Sequence, residues 1–242
     1  MLEWWSFADW ASPLLPGTTG LWWARRLSWA MVLGALLLML WPMGASTLSA
    51  SWSPVSRHAQ RRRSLQQAVA VGMLCVLCLL PGVWSPAYWL GLAFQMPSLM
   101  SVAWALHVMH GRFDGPARTR WAPLRGRQTW LNSAEALAFM GVVLGWVLLL
   151  DVLAVWPVQL YTSGFDGRTT LVLMALALLT WVRWGQRLHE SWRWVLVVLV
   201  AFELSRWPNG NVWAALLDPL FWLGLQIWCV WRLLRLIRAR GR

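Results

Sequence analysis

The chain has 242 residues, of which 59% are hydrophobic and 12% are charged, and its formal net charge is +12. This much apolar surface exceeds what one soluble core of that size buries, so the composition excludes an ordinary soluble domain and predicts a membrane protein. The chain contains no lysine, which excludes a lysine Schiff base and therefore a retinal-type pigment protein.

The first 26 residues form an aromatic stretch that does not have the pattern of a membrane span. Tryptophan pairs lie near both of its ends, whereas Asp9, Pro13, Pro16 and Gly17 interrupt it. Such a sequence favours a segment that lies on the membrane surface or re-enters it. It lacks the charged start and the cleavage pattern of a secretory signal peptide. We therefore expect an N-terminal interfacial segment (1–26), a transmembrane domain (27–234) and a basic cytoplasmic tail (235–242).

Seven apolar segments follow in chain order. A helix of about 20 apolar residues crosses a hydrocarbon layer of about 30 Å, and each segment approaches that length. The segments are Leu27–Ala45, Ala68–Trp84, Trp89–His107, Ala134–Trp156, Thr169–Trp184, Trp192–Trp207 and Trp213–Leu234. The sequence therefore predicts an all-α, polytopic transmembrane helical bundle of about seven spans.

The connections between these segments differ in charge. Three of them, PGVWSPAY, WPVQLYTSGFDG and WPNGN, have the Pro, Gly and small polar residues of tight turns. The other connections, the span ends beside them and the C-terminal tail contain 17 of the 21 arginines, which predicts that they are cytoplasmic and that the chain is a multi-pass protein of the cell inner membrane. Arg25 and Arg26 conflict with this topology, because an odd number of spans places them on the outer side.

Tryptophan is unusually frequent, with 24 residues. Many lie at the ends of the predicted spans, where an apolar ring with one N–H donor suits the headgroup boundary, and these predict an aromatic belt. A second group lies deeper and is interpreted either as helix packing or as a contact with a pigment, a quinone or another subunit. This group is Trp29, Trp41, Trp104, Trp146, Trp222 and Trp228.

Charged residues also occur within the last two predicted spans. Glu203 and Arg206 precede the turn at Pro208–Asn211, and Asp218 follows it. An unpaired charge within a span is costly, so we expect these three to form one network, with Asp151 of the fourth span as a further member. The network either pins two helices together or, because two acids outnumber one base, carries a proton or binds a cation.

A basic loop contains Arg112, Arg118, Arg120, Arg125 and Arg127. Such a cluster predicts contact with anionic lipid headgroups or with an acidic partner. No nucleic-acid recognition fold accompanies the charges, so nucleic acid is not an expected partner.

Other residue patterns give weaker candidates for chemistry. His107 and His110 share one helical face and are candidate metal ligands, but no third ligand follows at a fixed spacing. Cys75 and Cys78 form a C-x-x-C within an apolar run, where lipid opposes thiolate formation, so packing is the expected role. We therefore expect no metal site and no intrinsic cofactor.

The motifs of common enzyme classes, including nucleotide-binding and metalloprotease motifs, do not occur. The sequence therefore favours a non-catalytic accessory or scaffold subunit of a larger membrane complex, with protein partners within the bilayer. A small proton- or cation-coupled transporter or channel is the alternative. A membrane-embedded enzyme acting on lipid or quinone is the third interpretation.

Overall fold

Every regular element in the described part of the chain is a helix. The computed structural model describes residues 18–41, 54–113, 133–155, 159–184 and 191–240. The helices are α1 (Thr18–Leu40), α2 (Pro54–Leu79), α3 (Pro86–Phe94), α4 (Leu99–Phe113), α5 (Ser133–Val152), α6 (Leu160–Ser163), α7 (Gly167–Trp184), α8 (Ser191–Ser205), α9 (Val212–Leu216) and α10 (Pro219–Arg240). The predicted all-α class is confirmed for these residues.

Among the described residues, three helices are long and apolar enough to cross a membrane. The relevant stretches are Gly20–Leu40 in α1, Glu135–Val152 in α5 and Pro219–Arg238 in α10. At about 1.5 Å per residue, each extends close to the thickness of the hydrocarbon layer. Their length and composition are those of membrane-crossing helices.

Two of the predicted spans are each divided into two helices, so the prediction of single helices was wrong there. The segment Trp89–His107 contains the end of α3, a break over residues 95–98 and most of α4. Pro97 has no N–H to donate to a helix, and the Ser98 hydroxyl accepts a hydrogen bond from the Ser101 N–H at 3.1 Å, which starts a new helix.

The second division separates α9 from α10. Leu217 has an extended backbone, with φ −143° and ψ 118°. Asp218 follows it and accepts a hydrogen bond from the Phe221 N–H at 2.8 Å. Because Asp218 caps the helix and Pro219 occupies its first position, α10 begins here. Asp218 therefore lies at a helix end and not within a span that begins at Trp213.

The bounds of α1 and α2 also differ from those of the first two predicted spans. Helix α1 begins at Thr18, so residues 18–26 are continuous with it. Helix α2 begins at Pro54 and ends at Leu79, before the predicted end at Trp84. Pro81 and Gly82 follow α2. Gly82 has φ +70°, in the left-handed region that favours glycine.

Agreement is better in the second half of the chain. Helices α5, α7 and α8 match the fourth to sixth predicted spans to within a few residues. Helix α10 continues to Arg240, through most of the expected C-terminal tail.

The chain divides into two compact units. The N-unit comprises the described residues of Trp22–Met96 and Val102–Gly126, and the C-unit comprises those of Met1–Leu21, Pro97–Ser101 and Arg127–Arg242. The C-unit has a buried apolar cluster to which α5, α7, α8 and α9 contribute: Leu148, Ala177, Leu199, Phe202, Val212, Trp213 and Ala215. Close packing of these side chains stabilises the contact of the four helices by van der Waals attraction.

Helices α5 and α10 of the C-unit pack closely because α5 has two glycines one turn apart. A Cβ at Gly145 would overlap the indole ring of Trp222, and one at Gly141 would lie 2.7 Å from Leu225 Cδ1. The spacing is G-x-x-x-G, which lets membrane helices approach one another. The Trp222 indole N–H donates to the Val142 carbonyl at 3.1 Å.

An ion pair also connects α5 and α10. Arg232 Nε donates to Glu135 Oε1 at 2.8 Å, and Arg232 Nη2 lies at the same distance from that oxygen. Glu135 is in the first turn of α5, where a negative charge is favourable beside the positive end of the helix dipole.

Candidate functional site

Glu203 and Arg206, two members of the predicted charge network, form an ion pair. Arg206 directly follows α8 and has a left-handed backbone with φ 53°. Its Nη2 pairs with Glu203 Oε1, one helical turn earlier. Glu203 Oε2 is buried and has no hydrogen-bond partner among the described residues. The ion pair therefore lies at the C-terminal end of α8.

The Asp218 carboxylate receives hydrogen bonds from the beginnings of two helices. Its Oδ1 accepts from the Phe221 N–H at 2.8 Å, within the first turn of α10. Its Oδ2 accepts from the Ser98 N–H at 2.8 Å and from the Ser101 hydroxyl, at the start of α4. Asp218 is only 8% exposed. Two helix N-termini, each with a partial positive charge, therefore stabilise one carboxylate.

Asp218 consequently does not join the Glu203–Arg206 pair as the sequence predicted. The prediction assumed a continuous helix after the turn, whereas the break before α10 directs both Asp218 oxygens to helix N-termini. Asp151 has yet another role, since its Oδ2 accepts from the Tyr161 N–H at 2.7 Å in α6. The four predicted residues therefore do not form one network. Glu203 and Arg206 pair with each other, whereas Asp218 and Asp151 each bind backbone groups elsewhere.

Asn211, in the Pro-Asn-Gly-Asn turn, is a buried residue that the sequence analysis missed. Its Oδ1 accepts from the Trp213 N–H at 2.9 Å and caps α9, while its Nδ2 donates to the Tyr161 carbonyl at 2.9 Å. The Trp213 indole N–H donates to the Leu160 carbonyl at 2.9 Å. These bonds dock α6 on the turn. An asparagine directly before an apolar helix was the available signal.

In the N-unit, Arg26 lies within the membrane-length part of α1 and is 3% exposed. Its Nη1 donates to the carbonyls of Cys78, at 3.3 Å, and Leu80. The Ser85 hydroxyl also donates to the Cys78 carbonyl, at 2.8 Å. The guanidinium lies 4.0 Å from the centre of a Trp22 ring. Arg26 thus satisfies the carbonyls left free where α2 ends.

Arg112 has a similar role at the end of α1. Its Nη2 donates to the Leu38 carbonyl at 3.0 Å and to the Trp41 carbonyl at 3.2 Å. The guanidinium is therefore engaged with a helix end. The other arginines of the predicted lipid-binding loop, Arg118, Arg120, Arg125 and Arg127, lie outside the described residues.

Two of the deep tryptophans join helices by their N–H groups. Trp29 is buried and donates to the Gln95 carbonyl, the residue after α3, at 3.0 Å. Trp222 donates to the Val142 carbonyl in the α5–α10 contact described above. Both indoles supply a donor to a backbone carbonyl of another segment while their rings pack against apolar groups.

The candidate histidines and cysteines of the sequence lie on α4 and α2. His107 and His110 lie on α4. In the described ranges, no group of three or more His, Cys, Asp or Glu side chains is arranged to hold a metal ion. Cys75 and Cys78 are free thiols on α2, and Cys78 is fully buried.

Comparison of the chain with protein-family models, with curated proteins and with solved structures gives no match.

Proposed function

We propose that the chain is a multi-pass inner-membrane protein that serves as a non-catalytic accessory or scaffold subunit of a larger membrane complex. The observation that carries this proposal is the use of its ionisable side chains within apolar sequence. Arg26, Arg112 and Asp218 bind the free ends of helices. Charges used in this way stabilise the architecture of a bundle.

The proposed topology has about seven spans and a cytoplasmic C-terminus. Helices α3 and α4 together form one span and α9 and α10 another, each interrupted within the apolar sequence. Interrupted helices are tolerated in membranes where side chains satisfy the freed backbone groups, as Asp218 and Ser98 do.

Purification of the tagged full-length chain in mild detergent tests the accessory role. We expect one or more membrane proteins to copurify at a fixed molar ratio, and we expect the chain to be degraded in cells that lack this partner. A chain that purifies alone and accumulates normally without any copurifying protein would contradict the proposal.

A small proton- or cation-coupled transporter is the second candidate, and one observation favours it. Two interrupted helices begin at the same buried carboxylate, Asp218, and ion sites of transporters are commonly built at such interruptions. This arrangement differs from an ordinary helix cap, which involves one helix.

Replacement of Asp218 with asparagine distinguishes the two candidates. If Asp218 is structural, D218N loses an acceptor at Ser98 and Ser101, and the free energy of unfolding falls by about 1–3 kcal/mol. If Asp218 carries an ion, D218N accumulates normally but loses cation or proton flux in proteoliposomes. Ser101→Ala is the companion variant, because it removes one bond to Asp218 and keeps the carboxylate.

We further propose that the basic segment with Arg118, Arg120, Arg125 and Arg127 contacts anionic lipid headgroups. Replacing Arg118, Arg120, Arg125 and Arg127 with glutamine should weaken binding to anionic vesicles, by about 1 kcal/mol for each arginine near the surface. High salt should reduce binding of the unchanged protein in the same way. Arg112 is left unchanged, because its loss would disturb the end of α1. Equal binding of both proteins at both salt levels would contradict lipid contact.

A further inference from the structure

Arg25, in the membrane-length part of α1, packs on a glycine of α3. A Cβ at Gly91 would lie 2.9 Å from Arg25 Cδ and 3.2 Å from Arg25 Nε, and the three nearest atoms all belong to Arg25. Four residues later on both helices, the Trp29 indole N–H donates to the Gln95 carbonyl. Helices α1 and α3 therefore run side by side in the same direction, and Gly91 provides the room for the Arg25 side chain.

Arg25 differs from its neighbour Arg26 in its hydrogen bonds. The Arg26 guanidinium donates to the Cys78 and Leu80 carbonyls at the end of α2. The Arg25 side chain is partly exposed, and no described residue forms a hydrogen bond or an ion pair with it. A guanidinium has five N–H donors, so Arg25 can donate to an acceptor from outside the chain.

The sequence around Arg25 has no carboxylate to balance its charge. Between Asp9 and Asp114 the chain has seven arginines and no aspartate or glutamate. The acceptors of Arg26 are uncharged carbonyls, so two adjacent positive charges lie in α1 without an acidic side chain from the described part of the N-unit. Their repulsion is larger beside lipid than in water, because the dielectric constant is lower there. An anion beside Arg25 offsets this repulsion.

The depth of Arg25 indicates the kind of anion. Arg25 lies five residues after Gly20, where the membrane-length stretch begins, or about 7.5 Å along the helix. Aromatic residues precede Arg25 and Gly91 by two and three positions, and these are Trp22 and Trp23 on α1 and Tyr88 and Trp89 on α3. Such residues are typical of the headgroup level, which a long arginine side chain reaches from just below. The anionic acceptors at that level are lipid phosphates.

We propose that the Arg25 guanidinium, held against Gly91, binds the phosphate group of a membrane lipid. Two parallel N–H groups of arginine match two phosphate oxygens, and the negative charge of the phosphate offsets the Arg25–Arg26 repulsion. This site goes beyond the proposed function, because it does not depend on a partner subunit. It also uses none of the arginines of the basic segment at 118–127.

Lipid binding to the purified full-length chain tests the site. Native mass spectrometry measures binding of dioleoyl phosphatidylglycerol and, as the control lipid, of dioleoylglycerol, which has the same acyl chains and no phosphate. Arg118, Arg120, Arg125 and Arg127 are replaced by glutamine in every sample, so that the basic segment does not contribute. We expect Arg25→Gln to weaken phosphatidylglycerol binding roughly 5- to 10-fold and to leave dioleoylglycerol binding unchanged. Arg25→Lys should lose less, because it keeps the charge.

Gly91→Ala tests the position of the guanidinium separately from its charge. The added methyl group displaces the Arg25 side chain, so we expect weaker phosphatidylglycerol binding, with a smaller loss than in Arg25→Gln. Gly72→Ala is the matched control, because Gly72 is exposed on α2 and a Cβ there meets open space. Arg62→Gln is the charge control, since Arg62 is an exposed arginine of α2. Both controls should bind phosphatidylglycerol like the parent chain.

Folding is checked by thermal unfolding in detergent without added lipid. Arg25→Gln should melt like the parent chain, because Arg25 makes no hydrogen bond within the described fold. Equal phosphatidylglycerol binding by Arg25→Gln and the parent, equal binding of the two lipids, or an equal loss in Arg62→Gln would overturn the proposal. Displacement of the lipid by excess inorganic phosphate would instead assign the site to free phosphate. Loss of a copurifying protein with Arg25→Gln, at unchanged lipid binding, would assign Arg25 to a protein partner, and either result would also overturn the proposal.

Discussion

Arg26 lies in an apolar helix and donates to two carbonyl groups at the end of α2. This position accounts for Arg26, one of the two arginines that conflict with the predicted topology. Arginines report orientation when they lie in loops beside the membrane, where they are not translocated. Arg26 is instead enclosed by its own protein, and its charge is balanced by backbone dipoles and by the Trp22 ring. It therefore carries no information about which side the N-terminus occupies.

Arg26→Met should lower the free energy of unfolding in detergent by about 1–3 kcal/mol, because the Cys78 and Leu80 carbonyls lose their donor in a buried position. Arg26→Lys should lose less, since an ammonium group keeps the charge but cannot reach two carbonyls in the same planar geometry. Arg183→Met is the control, because Arg183 is exposed and should change stability by less than about 0.5 kcal/mol. Equal stability of the Arg26 and Arg183 variants would contradict a capping role.

The individual charged residues could be identified from the sequence, but their partners could not. Asp218 was recognisable as a charge that needed a partner. Besides the nearby Phe221 N–H, its partners are Ser98 and Ser101, which lie more than a hundred residues away in the chain and were not singled out. Local spacing brought Glu203 and Arg206 together correctly because the two residues are one helical turn apart.

At the level of helices, apolar runs predicted α5, α7 and α8 well, because nothing in those runs interrupts the backbone hydrogen bonds. The same rule failed at α3–α4 and at α9–α10. Hydropathy measures the apolar character of side chains, whereas a helix break depends on a missing N–H or on a side chain that competes for one. The signals were Pro97 after Met96, and Asp218 followed by Pro219.

The contact of α5 with α10 gives a prediction at this scale. Gly145→Ala places a methyl group where the Trp222 ring lies, and overpacking of this kind should cost about 1–3 kcal/mol of stability. Gly224→Ala is the control on the partner helix. It meets open space and gains helix propensity, so it should be neutral or stabilising by up to about 1 kcal/mol. Thermal unfolding followed by circular dichroism measures both, and similar melting temperatures would contradict the close approach.

For the whole molecule, the apolar composition predicts a helical chain with lipid around it. The helical class and three helices of membrane-crossing length agree with that prediction. The number of spans does not follow from composition alone, because interrupted and short helices divide the apolar sequence in ways that average hydropathy does not detect.

The proposed topology predicts which positions face the outside of the cell. In a cysteine-free background, single cysteines at Val83, Phe165 and Asn209 should react with a membrane-impermeant maleimide in intact cells. Cysteines at Arg62 and Arg238 should react only after the cells are opened. All five positions are exposed, whereas Ser85, in the first of the three turns, is buried and therefore unsuitable. Labelling of both groups from the same side would contradict the arrangement of three external turns.

The contact of Arg26 with the end of α2 has a consequence for biosynthesis. Helix α1 leaves the ribosome before residues 78–80 exist, so for that interval a guanidinium in an apolar helix has no acceptor from α2. An arginine near the centre of an inserting helix disfavours insertion by about 2.5–3.5 kcal/mol, and less towards its end. We therefore expect α1 alone to enter the bilayer inefficiently and to be retained at the insertion machinery until α2 has been translated. The first two helices would then enter the bilayer as a hairpin.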